Sequence, residues 1–505
     1  MARAARRRAA RHQPPGRTRR AEVHRLRPAP QSPTVVSDGL TPSPPDAHDA
    51  SMTAPFTSSA RGGLPTAVLA MSAAFLVYDQ STAINVLLPP LQQEFAASRA
   101  ELEWAVNAYS LSFAAVMLGA GALVDVWGAR RVFLIGMGIF AVCCAGCAVA
   151  PTMLLLILAL LLLGIGAALL IPSSLVLATA SATTPQQRTK NVAMWASSGG
   201  IGMSAGPLLG GALTEMGSWK LMFWFHAAIA AVSALAGARL LPTVARVPHP
   251  LDVPGQIAAT LAFGGLVFAL VQSADQGLSP MVLGAFAVAV VGVIAFVVIE
   301  SRVAAPLMPL AVWRNRVFLG ASLQGALWNL ALYGLLFALG LLLQTGMSMS
   351  VLHSSLMFLP LTIAILVGNL TVSRITEAID RVDHLLAGAQ TVFALSLLGL
   401  AWAGWSQSIW GIIVAMIPAG FASGLLVPTM TTQSLATVPR ELHGAASAAF
   451  NTLRQVGGSI GVAVFGILLG SELDAGFARC LIAAAAATVV AAVLTPLTQR
   501  PRRAA

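Results

Sequence analysis

Long apolar stretches recur along this chain at a spacing that suits membrane-spanning helices. About fourteen runs lie near 65–88, 102–124, 131–150, 153–180, 190–214, 220–241, 255–273, 281–299, 317–343, 352–373, 384–403, 409–433, 443–470 and 477–497. Each approaches the roughly 20 residues that an α-helix needs to cross a bilayer, and short polar loops join them. A single run of this kind reads equally well as a buried core helix. Fourteen in succession do not, and the chain is read as an all-α integral membrane protein. One stretch interrupts the apolar pattern: "FLVYDQSTAINVLLPP", residues 75–90, sets the carboxylate of Asp79 inside the first run.

Composition agrees with the pattern. Of 505 residues, 57% are hydrophobic and 10% are charged. Three or four soluble domains would need far more charged surface than that. Basic residues set an orientation. Fifteen, running from Arg130 and Arg131 to Arg500, Arg502 and Arg503, fall on one side; Arg99, Lys220 and Arg479 fall on the other. Both termini are therefore expected in the cytoplasm of a multi-pass protein of the cell membrane. Residues 1–60 read as a disordered basic tail facing anionic lipid headgroups rather than nucleic acid. Met52 is an alternative start. Cys143, Cys144 and Cys147 lie in one span with no His or carboxylate to complete a ligand set, so no metal is expected.

The chain also repeats itself. "LLIPSSLVLATASATTPQQRTK" from 169 is echoed by "LLVPTMTTQSLATVPRELHG" from 425, pairing Pro172 with Pro428 and Pro185 with Pro439. "GGIG" at 199–202 pairs with "GGSIG" at 457–461 at a nearly constant offset. The expected architecture is two six-helix pseudo-symmetric halves, 61–245 and 303–497, with two inserted helices at 246–302 and a short tail at 498–505. Facing repeats of this kind are how many secondary transporters build a central site.

Two motifs carry more than packing. "GIGMSAGPLLGG" (200–211) places Gly202, Gly206, Gly210 and Gly211 where a neighbouring backbone can approach closely, and Pro207 removes a backbone donor. "GALVDVWGARR" (121–131) reads as a tight capped loop, with Gly121, Leu123 and Gly128 framing it, Asp125 ahead of a helix start and Arg130 anchoring the basic side. Together these strings resemble the major facilitator superfamily, in particular its fourteen-helix drug:proton antiporter branch. "WKLMFWFH" (219–226) and "NTLRQVGGSIGVA" (451–463) add to the likeness, as do Thr82, Asn85 and Pro89 in the first run. The chain departs from the pattern at Leu160 and Leu163, where that branch carries Arg and Gln, and at His226, where it carries Asn. Asp79 stands one residue early. The resemblance implies proton-driven export of amphiphilic, often cationic, small molecules by a monomer without a cofactor.

Asp79 is the residue from which chemistry is expected. Apolar surroundings disfavour a charge at mid-membrane, so such an acid usually faces a partner or a cavity. It is read as a proton carrier, as a counter-ion for a cationic substrate, or as a structural hydrogen-bonded acid. Arg454 lies at similar depth and is its conjectured partner across the halves; the alternative is an arginine bonded to backbone. Asn85 and His226 are auxiliary candidates. No G-x-x-x-x-G-K-[ST] loop offers ATP as the energy source, and no Ser/His pair suggests an embedded enzyme. Export of drugs, export of one endogenous metabolite, and a non-transport membrane role stay open in that order.

Overall fold

The computed structural model describes residues 63–499 apart from 181, 183, 244–251, 304–305, 308–309, 380, 440–441 and 471. The expected tail at 1–60, the alternative start at Met52 and residues 500–505 lie outside the described residues. In chain order the helices are α1 (Gly63–Phe95), α2 (Arg99–Trp127), α3 (Ala129–Ala148), α4 (Met153–Ala180), α5 (Pro185–Glu215), α6 (Lys220–Leu240), α7 (Val253–Gln276), α8 (Pro280–Glu300), a short α9 (Leu310–Trp313), α10 (Arg316–Leu341), α11 (Val351–Met357), α12 (Leu359–Ala378), α13 (Val382–Trp405), α14 (Ile409–Ala436), α15 (His443–Leu469) and α16 (Leu473–Gln499). Every apolar run of the sequence has become a helix. α11 and α12 share one run, broken ahead of Pro360, which suits a first helical turn.

Helix starts follow local chemistry. Ser98, Thr184, Asp252, Ser279, Asn315, Ser350 and Ser408 each accept a backbone N–H from the first turn they precede. Such caps satisfy donors that a helix leaves unpaired. Thirteen helical segments among the described residues are long and apolar enough to cross a membrane. The fourteenth long helix, α5, does not reach that threshold. Its 31 residues are rich in Gly, Ser and Thr, because it is built to touch other helices closely rather than to face lipid.

Packing repeats between the halves. In the first, α1 packs on α5, α2 on α4, and α3 on both α4 and α6; in the second, α10 packs on α15, α12 on α14, and α13 on both α14 and α16. The inserted α7 and α8 pack on each other, and α7 also lies against α2 and α15, one helix from each half. Val290, Val291, Val293 and Ile294 of α8 remain exposed, as lipid-facing residues should.

Prolines explain how the halves meet. Pro89 and Pro90 of α1 cannot donate to the carbonyls of Asn85 and Val86 four residues earlier. Gln344, in the π-turn that ends α10, donates to the Val86 carbonyl at 3.0 Å, and Gly340 lies against the Asn85 carbonyl. Nearby, the Leu352 backbone donates to Glu215 and Gly211 lies against Ser355. Deeper in, Ser204 donates to the Thr362 carbonyl. These cross-half contacts gather from mid-depth toward the end of the bundle that bears Glu215 and Gln344, opposite the end rich in arginine.

Candidate functional site

The glycine string of α5 fixes α1 at the depth of Asp79. A Cβ at Gly202 would strike the Phe75 carbonyl, one at Gly206 would lie 2.5 Å from the Asp79 carbonyl, and one at Gly210 would lie 2.8 Å from Val86 Cγ2. Pro207 frees the carbonyl of Met203, and Thr82 of α1 donates its hydroxyl there at 3.0 Å. The motif is thus a seam whose register decides where the residues around Asp79 sit. Gly211 belongs to a different contact, against Ser355 across the halves.

Asp79, the seventeenth of 33 residues in α1, points into the first half and meets His226 of α6. Nε2 of His226 lies 2.7 Å from Asp79 Oδ2, and both side chains are fully buried. The other ring nitrogen, Nδ1, is 2.9 Å from Gln80 Oε1. A carboxamide oxygen only accepts, so Nδ1 carries a hydrogen in this arrangement. One further proton then sits between Nε2 and Oδ2. Whether written as imidazolium with carboxylate or as imidazole with carboxylic acid, the pair is neutral overall; removing the shared proton leaves one negative charge. Phe140 of α3 stands edge-on to the imidazole and closes the apolar wall around it. Asp79 Oδ1 has no hydrogen-bond partner among the described residues.

The remaining candidates separate. Arg454 does not pair with Asp79. Its guanidinium stacks over Trp328 and Phe450, 5.3 and 5.7 Å from the ring centroids, and donates to Asn451 Oδ1 at 3.3 Å. Asn85 turns its amide onto the Thr82 carbonyl of its own helix. Leu160 and Leu163 are fully buried in α4, so no cation reaches the site from that helix. In the loop motif, Gly128 has φ 89°, a conformation that side chains resist, and Arg130 donates to the Ala238 carbonyl at 2.7 Å, at the C-terminal end of α6. Gly121 lies inside α2 with open space about it, and Asp125 sits exposed in the last turn of α2, so neither belongs to the turn itself.

The role of His226 was the least legible feature in the sequence. A lone histidine near the start of a span reads as packing; only the distance between α1 and α6 shows that it meets Asp79. Glu103 was also hidden. It sits in the second turn of α2, yet it is fully buried against α15, where Gly466 leaves room for its carboxylate.

A bundle of two repeated six-helix halves around a buried titratable pair defines a membrane protein of the secondary-transporter architecture. The chain belongs to the Major Facilitator Superfamily, whose profile matches residues 70–462. It is 32% identical to the methylenomycin A resistance protein of Streptomyces coelicolor, over 78% of this chain and 83% of that one. It is 29% identical to the methylenomycin A resistance protein of Bacillus subtilis, over 80% and 88%. With the multidrug efflux pump LfrA of Mycolicibacterium smegmatis it shares 30% identity, over 81% of each. Among solved structures it resembles the xylose transporter XylE from E. coli in a partially occluded inward open conformation. The TM-score there is 0.61 at 13% identity, covering 88% of this chain and 99% of that one, a likeness of fold.

Proposed function

We propose that this protein exports amphiphilic small molecules, antibiotics among them, in exchange for protons, and that the Asp79–His226 pair carries the proton. The observation that carries the reading is the 2.7 Å contact between two fully buried titratable side chains in the middle of the bundle. Burying a lone charge there is costly, while a shared proton lets the pair stay neutral or gain one charge at a modest cost. The names of the relatives supply the substrate class, and the resemblance supplies the exchange. The arginine-rich end is taken as cytoplasmic, which turns the tightly joined end outward.

The test is efflux of a fluorescent amphiphilic dye from proteoliposomes of the purified full-length protein, with and without an imposed pH gradient. Wild-type efflux should rise with the gradient and fall when the gradient is collapsed. Asp79→Asn and His226→Gln should remove that response while leaving dye binding in place. Gradient-driven export by Asp79→Asn at the wild-type rate rules out this proton carrier. Efflux by the wild-type protein that ignores the gradient rules out the exchange itself.

A further inference from the structure

Among the described residues, the mid-membrane charge that lacks a counter-ion is not Asp79 but Arg454. Arg454 is the twelfth of 27 residues in α15 and is only 9% exposed. Among the described residues its Nε has no hydrogen-bond partner, and Nη1 has only a neutral amide oxygen. The guanidinium makes no ion pair with a carboxylate among the described residues. Trp328 and Phe450 hold its flat faces, and Trp328 is itself pinned by donating to Ser423 Oγ at 3.1 Å.

A cation buried this deeply normally has an acid beside it, because aromatic rings alone offset only part of its desolvation. Here the protein supplies the aromatic support and the orientation but no acid. The carboxylate at comparable depth, Asp79, is already committed to His226. A planar guanidinium whose Nε is unpartnered is also the group best matched to two oxygens at once, as in a carboxylate. We infer that Arg454 is the substrate's anchor and that the preferred substrates are amphiphiles carrying a carboxylate. This rests on the export reading for its physiological sense, and it differs from the cationic substrate that the family resemblance implied.

The experiment needs no gradient, so its outcome is separate from that of the export reading. Three probes of one shape are compared on the full-length protein in nanodiscs by equilibrium binding: anthracene-9-carboxylate, its methyl ester, and 9-(aminomethyl)anthracene. The carboxylate should bind at least ten times more tightly than the ester or the amine. Arg454→Gln should abolish that preference while leaving ester binding unchanged, and Arg454→Lys, which keeps the charge but loses the fork, should retain only part of it. Equal affinities for the three probes overturn the inference, as do a preference for the amine, a carboxylate preference that survives in Arg454→Gln, and a failure of the carboxylate to bind saturably. The comparison on the wild-type protein alone decides the matter if a variant does not fold. If the carboxylate binds as stated but no probe is ever transported, the export reading fails and this one stands.

Discussion

A methyl group placed at Gly206 should disable the proton site without changing either of its side chains. The Cβ of alanine would lie 2.5 Å from the Asp79 carbonyl oxygen and 3.0 Å from the Ala83 nitrogen, with Thr82 Oγ1 closer still. Carbon–oxygen contacts settle at about 3.3–3.6 Å, so α1 and α5 must part by about 0.8 Å at this level. Both obstacles are backbone and cannot swing aside. Overpacking of this kind costs about 1–3 kcal/mol. The same movement stretches the 2.7 Å link from Asp79 to His226 toward the limit of a hydrogen bond, and a hydrogen bond to a charged group contributes about 1.5–3 kcal/mol. Gly206→Ala is therefore expected to lower the thermal midpoint of the purified protein and to lose most gradient-driven dye efflux. The control is Gly121→Ala, where the new Cβ meets nothing within 4 Å; the removal of a helical glycine there should be neutral or stabilise by about 0.5–1 kcal/mol. If Gly206→Ala melts and transports like the wild type, or if Gly121→Ala is the damaging change, the seam does not position the site as argued.

Other expectations follow from single contacts. Gly128 at φ 89° and ψ 140° occupies a region that L side chains avoid, so Gly128→Ala should destabilise by about 1–3 kcal/mol, read as a drop in thermal midpoint with proton coupling intact in the surviving fraction. Gln344→Leu leaves the Val86 carbonyl without its donor, at a cost of about 1–3 kcal/mol to the joined end. Cysteine accessibility at that end should increase, and unchanged labelling would contradict the role given to the proline pair. If a carboxylate leaves as a proton enters, each cycle moves two charges in the same electrical sense, worth about 4.6 kcal/mol per 100 mV. An inside-negative potassium diffusion potential should then accelerate efflux of an acidic substrate, whereas efflux of a monovalent cation for one proton would not respond.

Architecture was legible in the sequence because each of its determinants is local. Apolar run length marks helices, Ser, Thr and Asn mark their starts, and the repeated Pro172/Pro428 strings mark the two halves. α5 shows the limit of that reasoning: it fails the apolarity threshold, and only its Gly-rich string reveals that its neighbour is another helix. The site was half legible. Asp79 stood out because a carboxylate deep in an apolar run has no cheap explanation. Its partner did not, since 147 residues separate Asp79 from His226 and nothing in the α6 sequence states which way the ring turns. Arg454 was noticed for its depth and assigned the wrong neighbour for the same reason: opposite charge suggests a pair, and the choice between two candidate cations is made by helix rotation alone.

The charges in the middle of the bundle constrain how exchange can work. With its shared proton the Asp79–His226 pair is neutral, and Arg454 leaves one net positive charge; without that proton the centre is neutral. A carboxylate on Arg454 brings the protonated centre to neutrality and the deprotonated one to a net negative charge. Coulomb's law then favours proton and acid together, whereas a cation in the same place would compete with the proton. Exchange of an acid for a proton must accordingly be enforced by geometry: the doubly occupied protein has to be the form that cannot tilt. The covalent chain supplies the means. Asp79 bonds His226 of the first half, while Ser81, two residues on and about 200° around α1, meets Tyr333 of α10, the helix that packs on the one bearing Arg454, so rotation of α1 cannot relax one contact without disturbing the other. Mixing anthracene-9-carboxylate with weakly buffered protein should therefore draw protons out of solution, and Asp79→Asn should abolish the uptake while the carboxylate still binds. Release of protons on mixing would show that the two ligands compete by charge and that this coupling is wrong.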